Sequence, residues 1–184
     1  DITFLAESIV KANPRKDKSN ADPYWDEAAT SLLSAEIAYI LMTKESPTFA
    51  DVLDLHDGID FRENGEQIVT SLDRKFEYLA EKDPGCFAVS CYKSFCRLPI
   101  KTASCIFGTL NTTIDTIFSP ELRKMIAMEK KADFEKLATQ KTVLFVSTSA
   151  VNPALHCFIN IFYAQAFKTL FEYAENLPSG RLPI

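Results

Sequence analysis

Apolar residues recur along most of this chain at the three- and four-residue spacing of a helix with one buried face. In residues 2–12, ITFLAESIVKA, the residues Ile2, Leu5, Ala6 and Ile9 share a face. A polar, partly basic loop, NPRKDKSNA, follows. DPYWDEAA then opens the best-marked helix. Asp22 can cap it, Pro23 brings a φ already suited to the first position, and Asp26 and Glu27 meet the positive end of the helix dipole. The helix is predicted to reach about Thr43, roughly 30 Å of rise. Trp25, Ala28, Ala29, Leu32, Leu33, Ile37, Ile40 and Leu41 form a stripe too wide for one neighbour. The spacing therefore predicts a central helix with partners on several sides, anchored at its start by a buried Trp25.

Further helices are predicted in series. One is capped by Ser46 or Thr48 and ended by Gly58. One covers GEQIVTSLDRKFEYLAEKDPG, with Ile68, Leu72, Phe76 and Leu79 along a face and a break at Asp83-Pro84-Gly85. Two more, over 86–98 and 100–118, are split by Pro99; a short one is capped by Ser119 and opened by Pro120; a turn or two covers 133–138. Then the pattern changes. Thr142 to Val146 is an unbroken, mostly β-branched and aromatic run with a Ser/Thr cluster and Asn-Pro after it, which reads as a buried strand and its turn. Residues 153–177 read as a long helix, apolar on nearly every side. Ser179-Gly180 turns the chain, and Leu182 to Ile184 read as the start of a second strand. Strand, helix, strand is the unit of a parallel sheet.

The expected fold is thus mainly α: a multi-helix all-α domain over 1–140, then a strand–helix stump of an α/β domain over 141–184. Both ends read as cut, since the chain starts at Asp1 and ends on the apolar LPI. A lone apolar strand is an open edge. It is expected to pair with a second copy of the chain, with Leu182 to Ile184, or with an improvised local strand.

Composition narrows the function classes. The 184 residues suffice for a real core. The formal charge of −5 argues against a chain that binds nucleic acid non-specifically over its whole surface, while leaving room for a local basic patch. The longest apolar stretch, Leu32 to Met42, contains Glu36 and follows Asp26 and Glu27, too polar for a membrane span. No signal peptide is visible. The cysteines, at 86, 91, 96, 105 and 157, are odd in number and form no CxxC pair, and His56 and His156 lie far apart. That pattern argues against zinc and for reduced thiols in a cytosolic chain. His56 reads as a helix-end residue. His156 and its neighbour Cys157 point about 100° apart on a helix, which does not make a nucleophile–base pair. There is no Gly-rich phosphate loop, HExxH or GxSxG. Lys93, Arg97 and Lys101, with Arg123, Lys124, Lys130 and Lys131, concentrate positive charge. They form either a solvated face or a surface that touches nucleic-acid phosphates. The acidic run DVLDLHDGIDFREN is either solvated or docks a basic segment.

Three stretches taken together resemble a known family: DPYWDEAATSLLSAEIAYIL; YKSF with KTASCIFGTL and SPELRKM; and LATQKTVLFVSTSAVNPALHCFINIFYAQAFKTLFEYAENLPSGRLPI. They are similar, in order and over nearly the whole chain, to the type IV secretion coupling proteins, the TraG-like conjugative DNA-transfer ATPases. The resemblance implies a membrane-anchored, hexameric protein whose RecA-like motor domain is interrupted by an all-α domain on the cytoplasmic side. It implies that residues 1–140 are that insert and 141–184 the return into the motor. The Walker A and Walker B segments, with their ATP and Mg²⁺, would lie outside this sequence, so no catalytic or cofactor-binding residue and no ATPase activity is expected here. The implied partners are a relaxase or other secreted protein, DNA, and components of the secretion channel. Two further readings stand beside it: a helical protein–protein adaptor with no nucleic-acid role, and a helical ligand-binding enzyme, which a deep pocket with convergent polar groups would favour.

Overall fold

A computed structural model describes residues 2–12, 23–64, 67–128, 132–148 and 153–182, with side chains except at 61–68, 153, 154 and 157. Asp22, Lys130, Lys131 and residues 183–184 lie outside the described residues. The chain is mainly helical and forms two compact units, Asp1–Ala127 and Met128–Ile184. Compactness thus divides it ahead of the change in sequence character near residue 140.

The first unit is built on α2 (Pro23–Thr43). α1 (Ile2–Lys11), α3 (Phe49–Asp57), α5 (Phe87–Cys96) and α6 (Ile100–Ile117) all pack against it. Its three central turns explain why. From Ala29 to Ile40 almost every side chain of α2 is buried, including Leu32, Leu33, Ala35, Ile37 and Ala38. A helix apolar all round has to be covered all round. α6 supplies the other large buried stripe, with Ala103, Ile106, Leu110, Ile114 and Ile117 each at 0% exposure. Trp25, expected to be buried, is only half-buried and stands edge-on to Tyr24 at 5.9 Å. Leu41, also expected in the buried stripe, is exposed.

Local chemistry sets the helix ends where the sequence marks them. Thr48 caps α3 in a reciprocal box with Asp51: the Thr48 backbone N–H donates to Asp51 Oδ2 at 2.8 Å, and the Asp51 N–H donates to Thr48 Oγ1 at 3.3 Å. Lys44 adds a 2.5 Å ion pair to Asp51, and the Lys44 and Thr48 hydrogen bonds hold that carboxyl down at about 2. Ser119 caps α7 (Pro120–Ile126) by accepting from the Leu122 N–H, with Pro120 at the first position.

One predicted helix is corrected. Residues 65–82 are not continuously helical: Phe61–Asn64 (β1) and Gln67–Thr70 (β2) pair antiparallel, and α4 begins only at Asp73 and runs to Lys82. The register places Asn64 opposite Gln67, so two residues join the strands. Gly65 at the first position of that two-residue connection is a hairpin signal that outweighs the helical spacing of the flanking apolar residues. Leu72, Phe76 and Leu79 keep the expected buried face.

In the second unit α8 (Phe134–Thr139) packs against α9 (Pro153–Glu175), with Phe134 edge-on to Phe162 at 5.0 Å. Gly180, at φ +62°, supplies the left-handed residue of the expected turn after Ser179. The predicted strand does not form. Residues 141–148 have no regular structure, and Phe145 is 90% exposed. The reason is pairing: among the described residues the only ladder is β1–β2, and Thr142 to Val146 has no partner.

The two ends of the burial scale should respond differently to truncation. Leu33→Ala, in the covered middle of α2, should cost about 2–5 kcal/mol in a urea unfolding curve. Phe145→Ala should stay within about 0.5 kcal/mol.

Candidate functional site

The cleft that gathers polar groups lies where β2, α4 and α5 meet. It encloses about 1030 Å³ and is lined by apolar Val69, Phe76, Ala80 and Val89. Its charged groups are Asp60, Asp73, Arg74, Glu77 and Lys93. Its floor is a hydrogen-bonded cluster. Tyr92 Oη donates to Asp73 Oδ1 at 2.5 Å and lies 2.5 Å from Thr70 Oγ1. The Thr70 N–H donates to Asp73 Oδ2 at 2.7 Å, and the Leu72 N–H to Thr70 Oγ1 at 3.1 Å. Thr70 and Asp73 therefore brace the turn that leads into α4 and anchor Tyr92 at once. The Tyr92 ring is stacked on Phe76 at 4.1 Å and 14°, and Phe76 in turn contacts Tyr39 of α2. The floor is locked to the core on one side and open to the cleft on the other.

Its electrostatics suppress ionisation. Burial, and then the hydrogen bond to Asp73, push the Tyr92 hydroxyl far above its ordinary range. Burial also pushes the Cys96 thiol up to about 11, with the Asp73 charge adding to it, against a lowering contribution from Tyr92. A nucleophile needs the opposite shift. The cluster is thus a hydrogen-bonding surface whose Tyr92 and Cys96 stay protonated, with Arg74 and Lys93 on the cleft wall beside the carboxyls of Asp60, Asp73 and Glu77. Neither of the two cations is in an ion pair among the described residues.

The basic positions singled out in the sequence do not gather in one place. Lys93 lines the cleft, Arg97 ends α5, and Lys101 opens α6, all exposed. Arg123 and Lys124 lie on α7, beyond the other end of α6, about 24 Å away by the helical rise. Arg123 is moreover engaged. Its Nη1 donates to Asp57 Oδ2 at 2.6 Å, its Nε to the Phe118 carbonyl at 3.0 Å, and Asp115 lies 3.5 Å from Nη2. It ties α7 to the end of α3. Arg74 was missed in the sequence because nothing placed it near Lys93 until the hairpin and α4 were built. Among the described residues no group of three or more metal-ligating side chains comes together, and no helix is long and apolar enough to cross a membrane.

The structure thus defines a mainly helical chain whose larger unit carries a polar cleft among the described residues. Residues 1–181 match the family model described as type IV secretory system conjugative DNA transfer, and the chain belongs to that family. No curated protein and no solved structure gives a match.

Two measurements probe the cleft floor. Tyr92→Phe removes the hydroxyl that Thr70 and Asp73 share and should destabilise the first unit by about 1–3 kcal/mol. With a pKa near 11, Cys96 should react with iodoacetamide at pH 8 more than about tenfold slower than a free thiol, despite its exposure, and should accelerate as pH rises toward 11.

Proposed function

We propose that this chain is the all-α substrate-recognition part of a TraG-like coupling ATPase, with an adjoining piece of its motor domain, in a type IV secretion system that drives conjugative DNA transfer. The observation that carries the reading is the family match over residues 1–181 of a mainly helical chain. In this reading the cargo is a relaxase carrying DNA, or another secreted protein. The cleft between β2, α4 and α5 is where a segment of that cargo docks. Its preformed hydrogen-bonding floor, with Arg74 and Lys93 set beside Asp60, Asp73 and Glu77, favours a segment with polar side chains and charges of both signs.

The rest of the assembly follows from the same reading. The intact protein is a membrane-anchored hexamer whose all-α part faces the cytoplasm and meets channel components. ATP and Mg²⁺ belong to its motor. The residues of this chain do not fit that nucleotide: its five glycines include no phosphate-cradling loop, so no chemical step is assigned to them.

One observation favours a second reading, a helical adaptor that touches protein alone. The cationic positions sit at opposite ends of α6 rather than on one face, and the chain is net acidic. DNA binding needs several phosphates neutralised along one surface.

The paired charge reversal Arg74→Glu with Lys93→Glu, placed in the intact transporter of donor cells, should lower transfer frequency by more than about tenfold. That corresponds to about 1.4 kcal/mol of lost binding. The thermal midpoint of the purified chain should not move. Transfer at the parental frequency would overturn the cleft assignment. Fluorescence anisotropy with single-stranded DNA separates the two readings: binding that weakens with salt supports direct DNA contact, and none at low salt supports the adaptor.

A further inference from the structure

Glu36 and His56 form a buried pair that neither the cleft nor the proposed cargo contact uses. Both side chains are at 0% exposure. His56 Nδ1 lies 3.1 Å from Glu36 Oε1 and 3.0 Å from Oε2, so one ring N–H is shared between both carboxyl oxygens. Among the described residues His56 Nε2 has no hydrogen-bond partner, and the ring lies against Phe107 of α6 at 5.4 Å. Glu36 sits in the middle of α2 and His56 in the last turn of α3. The pair is a polar contact between α2 and α3 inside an otherwise apolar interface.

The geometry points to a proton-operated latch: the docking of α3 on α2 depends on the Glu36–His56 pair keeping its proton. With one proton between them the two groups are net neutral, as imidazolium and carboxylate or as imidazole and carboxylic acid. When that proton leaves, a carboxylate remains in the core beside a neutral ring. An uncompensated buried charge is among the costliest groups a fold can hold. The surrounding charges sharpen the asymmetry. Asp57 follows His56 on α3, Asp115 faces it from α6, and Arg123 of α7 is shared between those two carboxylates. α1 and α5, the other neighbours of α2, contribute none of the charges that act on the pair. Two further acids nearby make loss of the proton harder still.

The titration directions agree with this layout. Burial raises the Glu36 carboxyl against the lowering pull of His56, and Asp57 adds to the rise. Burial alone would lower His56; the hydrogen bond and charge of Glu36, then Asp57 and Asp115, outweigh it and leave it raised. Both folded values therefore stand above the unfolded ones, about 4.3 for Glu and about 6.5 for His. For groups shifted that way the contribution is fully present below the unfolded values and is lost as pH rises through the folded ones. The latch holds at mildly acidic pH and loosens toward alkaline pH, opposite to the behaviour of an ordinary carboxylate salt bridge.

The test uses the whole chain. Between about pH 6 and about pH 9 the folded-to-unfolded ratio of the parent should fall about tenfold for each unit by which the pair is raised. Amide exchange, corrected for its intrinsic pH dependence, should rise first in Phe49–Asp57. Glu36→Gln keeps an oxygen for the Nδ1–H but removes the charge, and it should flatten both responses. Should that variant fail to fold, the parent decides alone. The ring proton resonance of His56, separated from that of His156 by a His156→Gln control, should titrate above the free-histidine value. A His56 that titrates at or below that value, or a parent whose stability is flat or rises over this pH range, would overturn the latch.

Discussion

The first unit depends on a helix that has no solvent face over its central turns. From Ala29 to Ile40, α2 offers side chains in every direction, and four other helices are needed to cover them. Association with α2 gives α1, α3, α5 and α6 a shared apolar surface to bury against. The same constraint explains why a single acidic residue in that stretch has consequences. Glu36 cannot reach water, so it must find a partner, and the partner has to come from a neighbouring helix. His56 meets that need from the last turn of α3. Arg123 then draws Asp57, the next residue, toward α7. One buried carboxyl thus links a short helix to α2, and the residue after its partner links that helix to α7.

Much of the architecture was legible because it was written in short-range chemistry. The Thr48–Asp51 box, Ser119 with Pro120, and the apolar rows of α2 and α6 act within a few residues of one another. Their signals survive into the structure because tertiary contacts agree with them. The candidate site was less legible for the opposite reason. Tyr92 meets Asp73 across 19 positions and Thr70 across 22, and His56 meets Glu36 across 20. No local pattern encodes such meetings. Reading His56 as a helix-end residue was right about its place in α3 and silent about its burial. The one available hint was Glu36 itself, an acid within an apolar stripe, which requires a partner without naming it.

The cleft shows how these levels join. Thr70 and Asp73 brace the turn before α4, yet the same side chains fix the Tyr92 hydroxyl, and Phe76 stacked on Tyr92 carries the contact back to Tyr39 of α2. A binding surface held this way loses little conformational entropy when a partner arrives. Arg74 and Lys93 differ from Arg123 in that respect. They are unspent, whereas Arg123 already satisfies two carboxylates and a carbonyl. Charge counted along a sequence does not distinguish a cation that holds the fold together from one that is free to meet a partner. Hydrogen-bond accounting does.

The two β-like segments carry the same lesson in sharper form. FREN holds Arg, Glu and Asn beside a single Phe, poor strand material, whereas QIVT and Thr142 to Val146 are both rich in the residues that strands favour. FREN and QIVT form a ladder and Thr142 to Val146 does not. The difference is the cost of bringing a partner. A two-residue connection holds β1 beside β2 with almost no loop to close, so modest side chains suffice. Thr142 to Val146 has no such neighbour among the described residues, and its backbone donors and acceptors are left to water, with Phe145 almost wholly exposed. Strand propensity describes how well a segment would sit in a sheet, not whether a sheet is there. A strand is a relation between two segments, and composition describes only one of them.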